Sequence, residues 1–269
     1  MNGSVSAEAE FTPLDRLGLV FGASYHWIDG DQSIDDSEYS YLLAAHYALT
    51  ADWGTKLSWS RKVRAPSIRN LYDEARGNLD LKYEVIDAYE GGINYQPESD
   101  WSAELSVFRM DVEDFIERNE VTDLFDNVDE SQLQGVELSG VVSPLEQLVL
   151  RGAYSYLDSE DETDSGRDEL QNRPRHMFVA DLDWNMGYNL GTHLKVRHVA
   201  DQVYYSRNPP LIQADLNDYT VVDARLRWRP LGSLEMHVAA ENLFDENFEE
   251  EYGLPNPGRF VYVGFQWSL

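Results

Sequence analysis

Residues 239–269, AAENLFDENFEEEYGLPNPGRFVYVGFQWSL, decide the fold. Their end alternates with period two, with Val261, Val263, Phe265, Trp267 and Leu269 on one face and Phe260, Tyr262, Gly264, Gln266 and Ser268 on the other. A soluble sheet hides an apolar face under a second layer, and an apolar comb running to the last residue would carry the terminal carboxylate into that layer. The closing strand of a transmembrane barrel meets no such conflict, because its outward side chains touch lipid.

The pattern repeats upstream. Leu234, Met236, Val238 and Ala240 oppose Glu235, His237 and Glu241; Val222, Ala224, Leu226 and Trp228 oppose Asp223, Arg225, Arg227 and Arg229; Phe178, Ala180, Leu182 and Trp184 oppose Asp181, Asp183 and Asn185. Further strands are expected at 5–11, 17–27, 41–49, 53–59, 87–95, 101–112, 132–143, 147–158 and 191–203, which makes about thirteen in all. Connections alternate between short (13–16, 51–52, 97–100, 144–146, 187–190, 230–232) and long (29–37, 63–82, 113–131, 159–173, 204–218, 245–257). Outer-membrane barrels put short turns on the periplasmic side and long loops outside. The fold class expected is therefore all-β, an antiparallel transmembrane β-barrel of up-and-down strands.

Composition narrows the class. The chain has 49 acidic and 21 basic residues, a formal charge of −28. That surface repels phosphates, so no nucleic-acid partner is expected. There is no cysteine, which removes disulfides, zinc–thiolate sites and a thiol nucleophile together. No run of about 18 apolar residues exists for a membrane helix, but a barrel needs none, since only alternate residues meet lipid. The first residues, MNGSVSAEAEF, carry neither the basic nor the apolar region of a signal peptide.

Three short motifs resemble the TonB-dependent outer-membrane receptors and occur in that family's order. Arg64-Ala65-Pro66-Ser67 leaves one strand and leads through Asn78 and Leu81 to Glu84. Tyr89-Glu90-Gly91-Gly92 stands in the next strand. Asn242-Leu243-Phe244-Asp245 ends the penultimate strand, and a loop containing Tyr252 leads to Pro257-Gly258-Arg259. The family usually ends in an aromatic residue, where this chain has Leu269. The resemblance implies a ligand-gated importer of the outer membrane. A barrel surrounds a plug, external loops bind a scarce nutrient such as an iron-siderophore, and inner-membrane energy arrives from the TonB complex through the plug. Outer-membrane lipid and the barrel-assembly machinery are the other partners implied. Plugged transporters have roughly 22 strands, so residues 1–269 are expected to form the C-terminal part of a barrel, without plug or early strands. Import by the chain alone is not expected.

Other candidate sites have plainer readings. The inward charges Glu137, Arg151, Lys195, Arg197, Arg225, Arg227, Glu235 and Glu241 fit a ligand path, or a wet lumen whose opposite charges pair across strands. The carboxylate runs 158–169 and 245–251 fit cation ligands or solvated loops. Asp29, Asp31, Ser33 and Asp35 open like a calcium loop, but Ile34 stands where glycine is required and Ser40 where glutamate is. His176, His193, His198 and His237 lack ligand spacing. No metal site, cofactor or catalytic residue is expected, so the chain reads as a non-enzyme. Trp53, Trp101, Trp184, Tyr188, Trp228 and Trp267 lie near short-turn ends, as an interfacial aromatic girdle would. A soluble sandwich core is the rival reading of those aromatics. In function the rival is a passive porin, which would need neither plug nor these motifs; an outer-membrane hydrolase would need a Ser-His-Asp cluster at one rim.

Overall fold

A computed structural model of the chain describes residues 2–29, 35–98, 100–119, 122–128, 131–161, 169–205 and 212–268. Thirteen strands form one antiparallel sheet. In order they are β1 (Asn2–Leu14), β2 (Leu17–Asp29), β3 (Asp35–Ala48), β4 (Trp53–Arg64), β5 (Glu84–Tyr95), β6 (Trp101–Glu113), β9 (Ser131–Leu145), β10 (Leu148–Asp161), β11 (His176–Gly187), β12 (Leu190–Ala200), β15 (Tyr219–Leu231), β16 (Leu234–Glu241) and β19 (Phe260–Trp267). Each pairs with its nearest neighbour among these, and β1 and β19 form the two edges. Among the described residues no helix is long and apolar enough to cross a membrane; the crossing elements are strands.

The register separates two faces. One row runs Leu150–Leu182–Leu194–Ala224–Ala240–Val261, and a neighbouring row Leu226–Val238–Val263. These side chains stay open, Val263 at 78% and Phe265 at 76% exposure, because the apolar face has no second layer. The opposite face is polar and concave. Ser6, Ser24, His26, Ser40, Ser58 and Ser60 line a hollow of about 790 Å³ across β1–β5. An apolar face outward and a wet, concave face inward is the barrel wall, not half of a sandwich.

Aromatic rings mark both margins of the apolar face. At the short-turn end Trp53, Tyr95 and Trp101 pack in sequence across β4, β5 and β6 as tilted rings, with centroids 4.6 and 4.4 Å apart. Trp184, Trp228 and Trp267 hold the corresponding places on β11, β15 and β19. Tyr188 belongs to the turn itself. It and Asn189 form a two-residue hairpin loop with φ of 52° and 61°, which matches the strand twist, and Tyr188 is 93% exposed. At the long-loop end Tyr25 with Tyr39 and Trp59 with Tyr89 form the second margin.

Three features of the structure differ from the pattern in the sequence. The strands run past the apolar band, so Arg61–Asp87 (2.8 Å) and Arg109–Asp111 (2.8 Å) sit on the outward face above it. The strand expected at 191–203 breaks at Asp201, whose φ is 61°. Long connections also carry structure of their own. The helix α1 (Ile68–Tyr72) follows β4, and three small hairpins lie off the main sheet: β7 (Phe115–Arg118) with β8 (Phe125–Val128), β13 (Gln202–Tyr205) with β14 (Gln213–Leu216), and β17 (Glu249–Glu251) with β18 (Leu254–Pro255).

Candidate functional site

The inner wall collects the charges that the sequence pointed inward. Glu137, Arg151, Lys195, Arg197, Arg225, Arg227, Glu235 and Glu241 all fall on the concave face by register. Three of these eight, Arg151, Arg197 and Glu235, make ion pairs with described residues, as a lumen read simply as wet permits. Arg151 donates to Asp183 at 2.5 Å, and His193 contacts the same carboxylate at 3.0 Å. Arg229 donates to Glu235 at 2.7 Å. On the other half of the sheet Lys56 bridges Glu90 (2.7 Å) and Glu104 (2.6 Å). The Arg151 and Lys56 pairs are roughly half exposed, so water screens them and they contribute little to stability. What they set is the charge pattern of the wall.

At the long-loop end two folded caps replace open loops. In the first, Arg64 makes a two-pronged contact with Glu84, which is 2% exposed and also accepts the Ile116 N–H at 2.8 Å. Pro66 follows, and Ser67 caps α1 reciprocally with Asn70. Ile28, Leu71, Leu81, Tyr83 and Ile116 then close a small apolar core beneath β7–β8. Burial, with Asp36 and Glu38 nearby, pushes the Tyr83 phenol above its ordinary value.

The second cap is built on Asn242. At φ 50° it turns the chain out of β16. Its amide donates to the Glu246 carbonyl (2.8 Å) and the Pro257 carbonyl (3.3 Å), its side-chain oxygen accepts the Glu246 N–H (2.8 Å), and its own N–H goes to Asp223 (2.9 Å). Leu243 N–H reaches the Val222 carbonyl at 2.7 Å. Asp245 accepts the Arg259 N–H at 2.7 Å, and a Cβ on Gly258 would come within 2.8 Å of that carboxylate, so a side chain there would push the carboxylate aside. Arg259 returns to the Leu243 carbonyl at 3.3 Å. Phe248 packs on Tyr219, Glu250 pairs with Arg197 at 2.6 Å, and Tyr252 stacks on Tyr204 at 4.0 Å. Phe244 stays 72% exposed.

Other candidates disperse. Tyr89 is on the outward face, parallel to Trp59; Glu90 is on the inner wall with Lys56. His176 contacts Tyr154 and His198 contacts Thr220 on the outward face, while His193 and His237 are inside. Among the described residues no group of three or more His, Asp or Glu side chains stands close enough to hold a metal ion. Of the calcium-like spacing, Asp31 and Ser33 lie outside the described residues while Asp29 and Asp35 pair across β2 and β3; residues 162–168 of the first carboxylate run also lie outside them. In the second run Glu250 is held by Arg197, and Glu249 caps the Gly253 N–H at 2.8 Å. The pattern of strands did not announce the Arg64–Glu84 contact, the Lys56 bridge or the Phe248 anchor; an apolar Phe248 inside an acidic run was the one available signal.

A family model described as TonB dependent receptor-like, beta-barrel, matches residues 2–243. The chain belongs to this family. The receptor barrel is an outer-membrane fold, and its family consists of transporters and receptors, not enzymes. Among curated relatives, the vitamin B12 transporter BtuB of Vibrio cholerae is 26% identical over 254 residues, covering 87% of this chain and 38% of the relative. The iron-regulated outer membrane virulence protein of Vibrio cholerae is 24% identical over 284 residues, covering 96% and 43%. Among solved structures, the siderophore receptor PirA of Acinetobacter baumannii superposes with a TM-score of 0.83 at 17% identity, covering 100% of this chain and 46% of that one. A ferric enterobactin receptor (PfeA) mutant of Pseudomonas aeruginosa gives 0.82 at 20%, covering 100% and 45%. The receptor barrel described here thus spans less than half the length of the relatives it matches.

Proposed function

We propose that the full-length protein is a TonB-dependent importer of a scarce nutrient, an iron-siderophore being the leading candidate, and that residues 1–269 are the C-terminal part of its barrel. The observation that carries this reading is the match of the family model over residues 2–243. The likeness to chains named as siderophore and ferric enterobactin receptors supports the substrate class; a chain named as a vitamin B12 transporter keeps corrinoids as the next candidate. The two loop-end caps offer folded surfaces for a nutrient ligand. The sequence motifs serve this function indirectly. Arg64, Pro66 and Ser67 shape the first cap, and Asn242, Leu243, Asp245, Pro257, Gly258 and Arg259 shape the second.

The 269 residues alone import nothing in this reading. The edges at β1 and β19 leave backbone donors and acceptors unpaired, at several kilocalories per mole for each group in lipid. The test is growth of a receptor-deleted host on a limiting ferric siderophore, with the full-length gene product supplied and the energy-coupling complex present or absent. Energy-dependent rescue by the full-length protein, and none by residues 1–269 behind a borrowed signal peptide, is expected. Rescue without the coupling complex would instead establish a passive porin.

A further inference from the structure

Three of the short turns share one sequence: Pro13-Leu14-Asp15-Arg16-Leu17, Pro144-Leu145-Glu146-Gln147-Leu148 and Pro230-Leu231-Gly232-Ser233-Leu234. They also share one irregularity. β1 faces lipid with its odd-numbered residues up to Phe11, so an unbroken ladder would turn Leu14 into the lumen. One extra residue at Thr12-Pro13 shifts the register, and Leu14 pairs instead with the outward Leu17. β9 faces lipid with even-numbered residues up to Val142, and the shift at Ser143-Pro144 brings Leu145 out against Leu148. On β15 the shift after Trp228, at Arg229-Pro230, brings Leu231 out against Leu234. In the β11–β12 hairpin the same shift sets Gly187 against Leu190, without the proline or the second leucine.

The three leucines turned out by these shifts are open, Leu14 at 62%, Leu145 at 56% and Leu231 at 56% exposure. A single exposed leucine needs no cause; three at one place in the hairpin, each reached through a bulge, do. Proline suits a bulge at a membrane boundary. A bulge leaves one residue out of the ladder, and a proline there has no N–H to leave unpaired near lipid. The turns are also held still. The carbonyls of Arg16, Gln147 and Ser233 accept the N–H groups of Ala48, Asn185 and Ser268 from the neighbouring strand, at 2.9, 2.8 and 2.8 Å.

We propose that the three Pro-Leu-x-x-Leu hairpins are anchors, each seating a leucine pair in the headgroup boundary of the periplasmic leaflet, and that they fix how deep the barrel sits. What covers the leucines follows from continuity with the lipid face. Leu17 pairs onward with Tyr47, Leu148 with Trp184 and Leu234 with Trp267, so each leucine pair adjoins an outward aromatic ring. Asp15-Arg16, Glu146-Gln147 and Gly232-Ser233 form the apices between the leucines. Such polar tips stay in water and keep the anchor from sinking further. The hairpins belong to β1–β2, β9–β10 and β15–β16, spread along the wall, so together they oppose tilt as well as set depth.

The test is spin-label depth measurement on the full-length gene product, folded into phosphatidylethanolamine–phosphatidylglycerol vesicles, with heat-modifiable gel mobility reporting a folded barrel. Residues 1–269 contain no cysteine, so once any cysteine elsewhere is replaced, L14C, L145C and L231C each carry one nitroxide. E146C supplies the reference in water and L194C the reference in the apolar band. Collision with oxygen relative to a nickel chelate is expected to be about ten-fold higher at 14, 145 and 231 than at 146, as for side chains held roughly 5–10 Å into the boundary. The ratio at 194 is higher still. If a label disturbs folding, magnetisation transfer from acyl-chain protons to methyl-labelled leucines of the unaltered protein, assigned with L14M, L145M and L231M, reports the same contact. A water-like ratio at any of the three sites in a folded variant, or no transfer to that leucine, overturns the proposal. So does water-like behaviour in vesicles combined with protection in intact cells, which assigns the leucines to a periplasmic protein. The readout requires no nutrient and no coupling complex, so its failure and the failure of the import reading are separate results.

Discussion

An arginine placed at two heights of the outer face and once on the inner face tests the membrane reading directly. Leu194 stands on the outward face of β12 between Leu182 and Ala224. Leu190, on the same strand and face, pairs with Trp228 in the aromatic margin. Four residues separate the two leucines; at about 3.4 Å each and a tilt near 40°, Leu194 lies roughly 10 Å deeper. Half of an apolar band about 25 Å tall is about 12 Å, so Leu194 is close to the midplane. L194R is expected to cost roughly 2–4 kcal/mol and L190R about 0–1 kcal/mol. Ala153 faces inward on β10, in a hollow of about 410 Å³ that has room for a long side chain; A153R should cost about 1 kcal/mol or less. The assay is reversible denaturant titration of the full-length barrel in lipid bilayers. A difference of about 3 kcal/mol is more than a hundred-fold in the folding equilibrium, well outside the error of extrapolation. Equal penalties at 190, 194 and 153 would refute the assignment of faces, and a larger penalty at 153 would reverse it.

Three further outcomes concern the caps. N242A removes three side-chain hydrogen bonds and leaves an alanine at positive φ, so it should loosen residues 243–259 by roughly 2–4 kcal/mol; limited proteolysis in that loop, with the barrel intact, is the measurement. E84A leaves the Ile116 N–H without its acceptor in a buried site, for a local loss of about 1–3 kcal/mol, read as faster amide exchange in 65–83 and 114–128 but not in the sheet. The Tyr83 phenol is raised in the folded cap above its ordinary value of 10.0, so deprotonation favours the open form. The stabilisation it reports is present below pH 10 and is lost as pH rises above it. An absorbance titration of the intact protein against Y83F should show that residue ionising later than exposed tyrosines, and a coincident ionisation would refute the burial.

The sheet was legible because a barrel wall writes itself with period two and nothing interrupts the code. Val222, Ala224, Leu226 and Trp228 meet lipid for one physical reason, and no packing partner on the outer face permits exceptions. Strand ends were less legible. Above the apolar band the outward face turns to water, and Arg61 extends its ladder past the expected strand 53–59, while Asp87, Arg109 and Asp111 put charge on that face inside expected strands. Asp201 broke a strand through a left-handed backbone that Asp tolerates without requiring.

The caps were illegible for a different reason. Their order comes from contacts between residues far apart in sequence, Glu84 with Arg64 and Ile116, or Asn242 with Pro257 and Asp223. No local period encodes such contacts. The resemblance pointed to those same residues, Arg64, Asn242, Gly258 and Arg259, without saying why. The structure supplies a cause where a long loop must return to the next strand: Asn242 and Arg259 satisfy turned backbone groups, Arg64 pairs the buried Glu84, and Gly258 leaves room for the Asp245 carboxylate. The inner wall stands between these cases. Period two placed Arg225 and Arg227 on it, yet the same alternation holds whether a lumen charge faces water, a neighbouring carboxylate or another segment. Which of these it meets is set by neighbours on other strands and loops, as Glu250 on Arg197 and Glu235 on Arg229 show.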